Sequence, residues 1–207
     1  MSELLPTGRR VDFLPREQLF GEGEESDHIA IILGGIVKIT VSTSSGREAL
    51  LGLRGAGEIV GELAALYGSP RSATVRALDH VQARLVSASS FRQRLREHPD
   101  ALFALLEAVI GRLRESDRRR LEFTGSDVQE RVSILLAELA RTHGEPASDG
   151  SVTIGLRLSQ EEVAGATGAS REAVAKALRN LREQGIVNTA RQRIVVLRPE
   201  ALLPGLS

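Results

Sequence analysis

The chain has 207 residues, 42% of them hydrophobic, and its acidic and basic side chains balance to a formal net charge of +0. The absence of cysteine excludes disulfides, thiolate zinc sites, cysteine-held iron–sulfur clusters and a thiol nucleophile. No run of about 18 apolar residues occurs, and Met1 to Arg10 lack the apolar core of a signal peptide, so the expectation is a globular cytoplasmic protein in which any nucleic-acid affinity resides in a local basic patch.

From Phe20 to Val86 the pattern is one of short strands, His28–Leu33, Val37–Val41, Ala49–Leu53, Ser72–Ala77 and Val81–Val86. Glycines such as Gly34, Gly35, Gly46 and Gly57 punctuate them where tight corners are needed, which predicts a small barrel or roll. Ser89 or Ser90 then offers a cap for a short helix ending near Glu97, and Pro99 with Asp100 opens a long helix to Phe123. Along it Leu102, Leu106, Val109 and Leu113 follow three-four spacing, and the same line continues to Ser116 and Arg120. Two readings fit that spacing, a short parallel coiled-coil seam or a single amphipathic helix packed on its own barrel, and the spacing does not choose between them. Thr124 to Ser126 break the helix, Asp127 opens another over Val128–Ala140, and Gly144–Gly150 reads as a loop.

Between the strands lies Gly61-Glu62-Leu63-Ala64-Ala65-Leu66-Tyr67-Gly68-Ser69-Pro70-Arg71-Ser72-Ala73-Thr74-Val75. Here a glycine opens one helical turn whose N–H groups can meet an anion, and a Gly-Ser-Pro turn delivers an Arg and a Ser into a strand. Arg71 offers a planar fork to a phosphate, Ser72 a hydroxyl donor, and Glu62 an acceptor for a sugar hydroxyl. Taken singly, Arg71 and Glu62 also fit an ordinary surface ion pair beside a turn.

Near the C-terminus two short helices flank a glycine turn. Ser159 caps the first, with Gln160 opening it and Glu162 completing a capping box; Gly168 supplies the turn, and Ser170 caps the second. On the second helix Val174, Ala177, Leu178 and Leu181 share one arc, while Arg171, Glu172, Ala175, Lys176 and Arg179 share the other. From Gly168 to Arg193 six basic residues stand against two acidic ones, which supplies the patch that the neutral total requires. The geometry is that of a helix-turn-helix, a device also used in protein–protein modules.

The Gly61–Val75 stretch closely resembles the phosphate-binding cassette of cyclic-nucleotide-binding domains, and Leu19-Phe20-x-Glu22-Gly23-Glu24 through Val37-Lys38 resembles the opening strands of that domain. The run from Gly168 to Lys176 resembles the recognition helix of the Crp/Fnr family of bacterial regulators. The resemblance covers about residues 15 to 200 and implies an α+β protein: a nucleotide-binding β-roll over 1–98, a dimerisation helix over 99–124 and a winged helix-turn-helix over 125–207. It further implies that Gly61 and Leu63 meet cyclic AMP through backbone, Glu62 takes the ribose 2′-hydroxyl, and Arg71 and Ser72 hold the phosphate. Ser116 and Asp117 fall where family members meet the adenine, with Asp117 standing where a Ser or Asn is more common; a carboxylate there can accept from the adenine amino group and can equally repel a ligand phosphate or reject a guanine carbonyl, a balance that favours cyclic AMP over cyclic GMP. Arg171 and Glu172 would contact a G and a C, and Lys176 stands where many members have Arg. The wing strands would be Gly185–Val187 and Ile194–Leu197, with a basic tip at Arg191 to Arg193. The implied partners are palindromic double-stranded DNA, a second copy of the chain and RNA polymerase, with neither metal nor haem. The N-terminus is shorter than is usual in the family and leaves little room for helices before the roll. A ligand-independent or differently liganded regulator is the alternative. A haem enzyme using His28, His80, His98 or His143 is the rival from another class, and it is disfavoured because no histidine lies in a recognisable catalytic or metal spacing.

Overall fold

The segment His-Ile-Ala-Ile-Ile-Leu-Gly is apolar at consecutive positions, the pattern of a strand covered on both faces. In the computed structural model, which describes residues 8–42, 48–156, 158–190 and 193–203, it forms β3 (His28–Gly34), with Ile29 to Ile32 fully buried. The chain divides into two units, 1–117 and 118–207.

The first unit is built on two four-stranded antiparallel sheets. One has the order β1 (Arg9–Phe13), β8 (Val81–Ser87), β3, β6 (Ile59–Val60); the other β2 (Gln18–Phe20), β7 (Thr74–Ala77), β4 (Val37–Ser42), β5 (Glu48–Arg54). Ala30 and Ile32 face Phe20, Val37 and Val75 in a core shared by both sheets. Ile29 and Ile31, on the opposite face, pack with Phe91 and Leu95 of α2 (Ala88–Glu97) and with Ala101 and Leu105 of α3 (Pro99–Phe123). Period-two alternation thus explains why one strand contributes to two cores. The short α1 (Glu62–Tyr67) opens on Gly61 and closes on Gly68, both left-handed.

α3 has two apolar faces. Ala101 and Leu105 are buried against the roll and Val109 is partly buried there, whereas Leu102, Phe103, Leu106, Ile110 and Leu113 are exposed. Among the described residues no helix is long and apolar enough to cross a membrane.

The second unit surrounds α4 (Val128–His143), α5 (Gln160–Thr167) and α6 (Arg171–Glu183), with Leu135, Leu136, Val163, Val174, Leu178 and Leu181 buried. Asp127 and Glu130 form a reciprocal capping box at the start of α4. A sheet of order β11 (Val187–Ala190), β12 (Arg193–Val196), β10 (Val152–Ile154), β9 (Gly144–Pro146) completes the unit.

Several expectations need correction. Gly144–Gly150 is not wholly a loop: Gly144–Pro146 pairs with Val152–Ile154, leaving only the turn between them. The cap of α2 is Ser87, whose Oγ accepts from Ser90 N at 3.1 Å, because the helix begins as β8 ends; Ser89 and Ser90 lie in its first turn. Ser72 precedes β7 rather than entering it. The wing strands pair over Val187–Ala190 and Arg193–Val196, slightly offset from the spans read in the sequence. The corner at Gly46 and the wing-tip residue Arg191 lie outside the described residues.

Candidate functional site

The loop from Gly61 to Ser72 folds back on itself around a cavity of about 320 Å³. Its lining includes Gly61, Glu62, Leu63, Arg71 and Ser72 from the loop, Ile39, Leu51 and Arg54 from the sheet, and Val109, Arg112 and Leu113 from α3. Arg71 is only 4% exposed. A buried guanidinium must find acceptors: Nη1 donates to Gly61 O at 2.9 Å, Nη2 to Ser26 Oγ at 2.5 Å and to His28 O. The Phe20 ring lies 3.6 Å beneath it. Nε is buried with no hydrogen-bond partner among the described residues. Burial pushes the Arg71 pKa down, while Glu62, Asp27 and Glu24 oppose that shift.

Gly61 is required by this packing. Its φ is 83°, and a Cβ there would collide with Arg71 Nη1 and crowd Phe20 at 3.0 Å.

Glu62 is also buried, and its partner was not legible in the sequence. Arg112, on α3, donates to Glu62 Oε1 at 2.6 Å and to Ile59 O at 3.0 Å, and it lies 3.8 Å from Glu58. The helix is thereby tied to the carboxylate singled out for a sugar hydroxyl. Arg112 lies 50 residues from Glu62 in sequence, and no local spacing flags such a pair. The structure therefore brings five of the seven expected nucleotide-site residues together. Ser116 and Asp117 are exposed and are not among the lining residues.

The second site is the α5–α6 pair. Ser159 Oγ accepts from Glu162 N at 3.2 Å, and Glu162 Oε2 accepts from Ser159 N at 2.6 Å. Gly168 ends α5 at φ 61°, and Ser170 Oγ caps α6 by accepting from Ala173 N at 3.2 Å. Val174, Ala177, Leu178 and Leu181 are buried, whereas Ser159, Gln160, Ser170, Arg171, Glu172, Lys176 and Arg179 are all exposed. Of the six basic residues expected in the patch, Arg182 instead donates to Thr189 Oγ1 at 2.8 Å and braces α6 on β11. Asn180 braces the other flank by donating to Gln129 Oε1 at 2.9 Å.

Residues 10–98 match the cyclic nucleotide-binding domain and residues 130–204 the Crp-like helix-turn-helix domain. The CRP-like cAMP-activated global transcriptional regulator of Mycobacterium tuberculosis is 31% identical over 192 residues, 93% of this chain and 85% of that protein. The chain belongs to the Crp/Fnr family of transcription regulators. The global nitrogen regulator of Synechocystis sp. is 28% identical over 204 residues, 97% of this chain and 89% of that one. The solved structure of CLP, a c-di-GMP responsive global regulator of Xanthomonas campestris, shares the fold with a TM-score of 0.81 at 23% identity, over 91% of this chain and 93% of that one. As a Crp/Fnr member the chain is a DNA-binding transcription regulator and not an enzyme. Among the described residues no cluster of three or more His, Asp or Glu side chains is placed to hold a metal ion.

Proposed function

We propose that this regulator is a homodimer switched by cyclic AMP, acting in the cytoplasm on a palindromic DNA site and engaging RNA polymerase there. The observation that carries the effector is the buried Arg71 guanidinium, which lines the cavity and keeps one donor, Nε, without an acceptor among the described residues. A buried unsatisfied donor calls for a partner, and a cyclic phosphate supplies one. In this reading Arg71 and Ser72 hold the phosphate, Gly61 and Leu63 approach it through backbone, and Glu62 shares its carboxylate between Arg112 and the ribose hydroxyl. Ser116 and Asp117 would meet the adenine only in the ligand-bound dimer.

Residues 1–98 form the effector part, 99–124 the dimerisation helix and 125–207 the DNA-reading part. The exposed stripe Leu102, Phe103, Leu106, Ile110 and Leu113 supports a second copy as the partner of α3. On α6, Arg171 takes a guanine through its fork, Glu172 accepts from cytosine, and Lys176 and Arg179 complete the reading face with Ser170, while Ser159 and Gln160 reach phosphate.

A second reading, an effector other than cyclic AMP, is favoured by the engagement of both Arg71 terminal nitrogens with Gly61, Ser26 and His28. Calorimetric titration of the intact protein with cyclic AMP, alongside Arg71→Ala, decides between them. Saturable heat that disappears in the variant upholds the first reading, and no heat with the wild type overturns it.

A further inference from the structure

Four charged side chains line the cavity: Arg54, Glu62, Arg71 and Arg112. Glu62 and Arg112 pair with each other, and Arg71 is the phosphate ligand in the reading above. Arg54 is left with no role in it. β5 delivers this residue through an irregularity. Ile39 pairs with Gly52 but Thr40 pairs with Leu50, so Leu51 is the extra residue of a β-bulge. In a regular strand, residues 51 and 54 would point to opposite faces; across the bulge both line the cavity. Gly52 makes room for the arginine, since a Cβ there would sit 3.1 Å from Arg54 Nη1. Leu53 O at 2.6 Å from Nη1 and Glu58 Oε1 at 3.5 Å from Nε orient the guanidinium.

We propose that Arg54 is a specificity-determining residue that reads the edge of the bound base, so that cyclic GMP is a ligand of this cavity alongside cyclic AMP. The proposal rests on the cyclic-nucleotide reading of the site. With phosphate at Arg71 and ribose at Glu62, the base lies against the apolar wall of Ile39, Leu51, Val109 and Leu113; of the two charged groups beside that wall, Arg112 is paired with Glu62, and Arg54 comes from the same strand as Leu51. A guanidinium has donors and no acceptor. Guanine presents N7 and O6 as adjacent acceptors, which match the fork, whereas adenine presents N7 beside an amino group that also donates.

The test is calorimetric titration of the full-length protein with cyclic AMP, cyclic GMP and cyclic IMP, whose base keeps N7 and O6 but lacks the guanine amino group. The wild type should bind cyclic GMP and cyclic IMP at least as tightly as cyclic AMP. Arg54→Leu should lower the cyclic GMP to cyclic AMP affinity ratio by about tenfold or more, in line with the loss of one bidentate pair. Arg54→Lys, which keeps the charge and loses the fork, should lower it similarly. Circular dichroism and a saturable cyclic AMP heat establish that each variant is folded. Wild-type preference for cyclic AMP over both cyclic GMP and cyclic IMP overturns the proposal, as does a ratio unmoved in Arg54→Leu. If cyclic AMP binds normally in either case, the underlying reading survives alone. If no nucleotide binds the wild type, both fall.

Discussion

Gly61 concentrates two constraints in one residue: a left-handed backbone and a side-chain volume already taken by Arg71. Gly61→Ala should cost about 1–2 kcal/mol from the backbone alone, read as an earlier midpoint in urea, and should abolish nucleotide binding by displacing Arg71. Arg112 gives a second test at this scale. Arg112→Leu leaves the Glu62 carboxylate buried without its cation, and stability should fall by roughly 2–4 kcal/mol, less than for a fully enclosed pair because the arginine keeps some exposure. Thermal unfolding measures the loss. Single residues were unevenly legible in the sequence. Gly61, Glu62, Arg71 and Ser72 sit in one local pattern, whereas the partners of Arg71 come from Phe20, Ser26 and His28 on an earlier loop and strand, which only the closed roll brings near.

At the scale of elements, α3 separates two roles that the spacing alone left undecided. Neighbouring leucines should respond differently. Leu105→Ala removes a side chain buried in the roll and should destabilise the fold by about 2–5 kcal/mol. Leu106→Glu alters the exposed stripe and should leave a folded protein that sediments as a monomer; a dimer in that experiment would refute the assignment of the stripe. The long helices and the doubly covered β3 were legible because their apolar periodicity is strong. β1, β2, β6 and β9 were not, because strands of two to five residues at or near sheet edges, some holding Gly and Pro, show too few positions to establish a period. The lining role of Arg54 was hidden for a related reason, since a bulge shifts the alternation from which a face is inferred.

For the molecule as a whole, the neutral total charge and the local basic surface of the DNA-reading unit make binding a matter of placement rather than bulk attraction. Arg171→Ala should cost about 1–3 kcal/mol and relax preference at a single base pair of each half-site, measured by competition between operator variants at fixed salt. Cyclic AMP should tighten operator binding by roughly 5- to 150-fold, and operator should tighten cyclic AMP binding by the same factor, because the coupling is reciprocal. Equal nucleotide affinity with and without operator would dissociate the two functions.

The pairing of β1 with β8 also bears on how the protein is made. Arg9 lies opposite Leu85 and Phe13 opposite Val81, so the first strand among the described residues finds its neighbour in the last strand of the roll. During synthesis the ribosome must extrude every strand of the roll before this edge can close, and until then β1 is an unpaired ribbon. Contacts so distant in sequence form slowly. The helix-turn-helix that follows draws on nearer neighbours, with α5 and α6 adjacent in the chain. β1 therefore waits unpaired while the roll is incomplete, and slowing translation once Ser87 has cleared the ribosome should raise the yield of native protein.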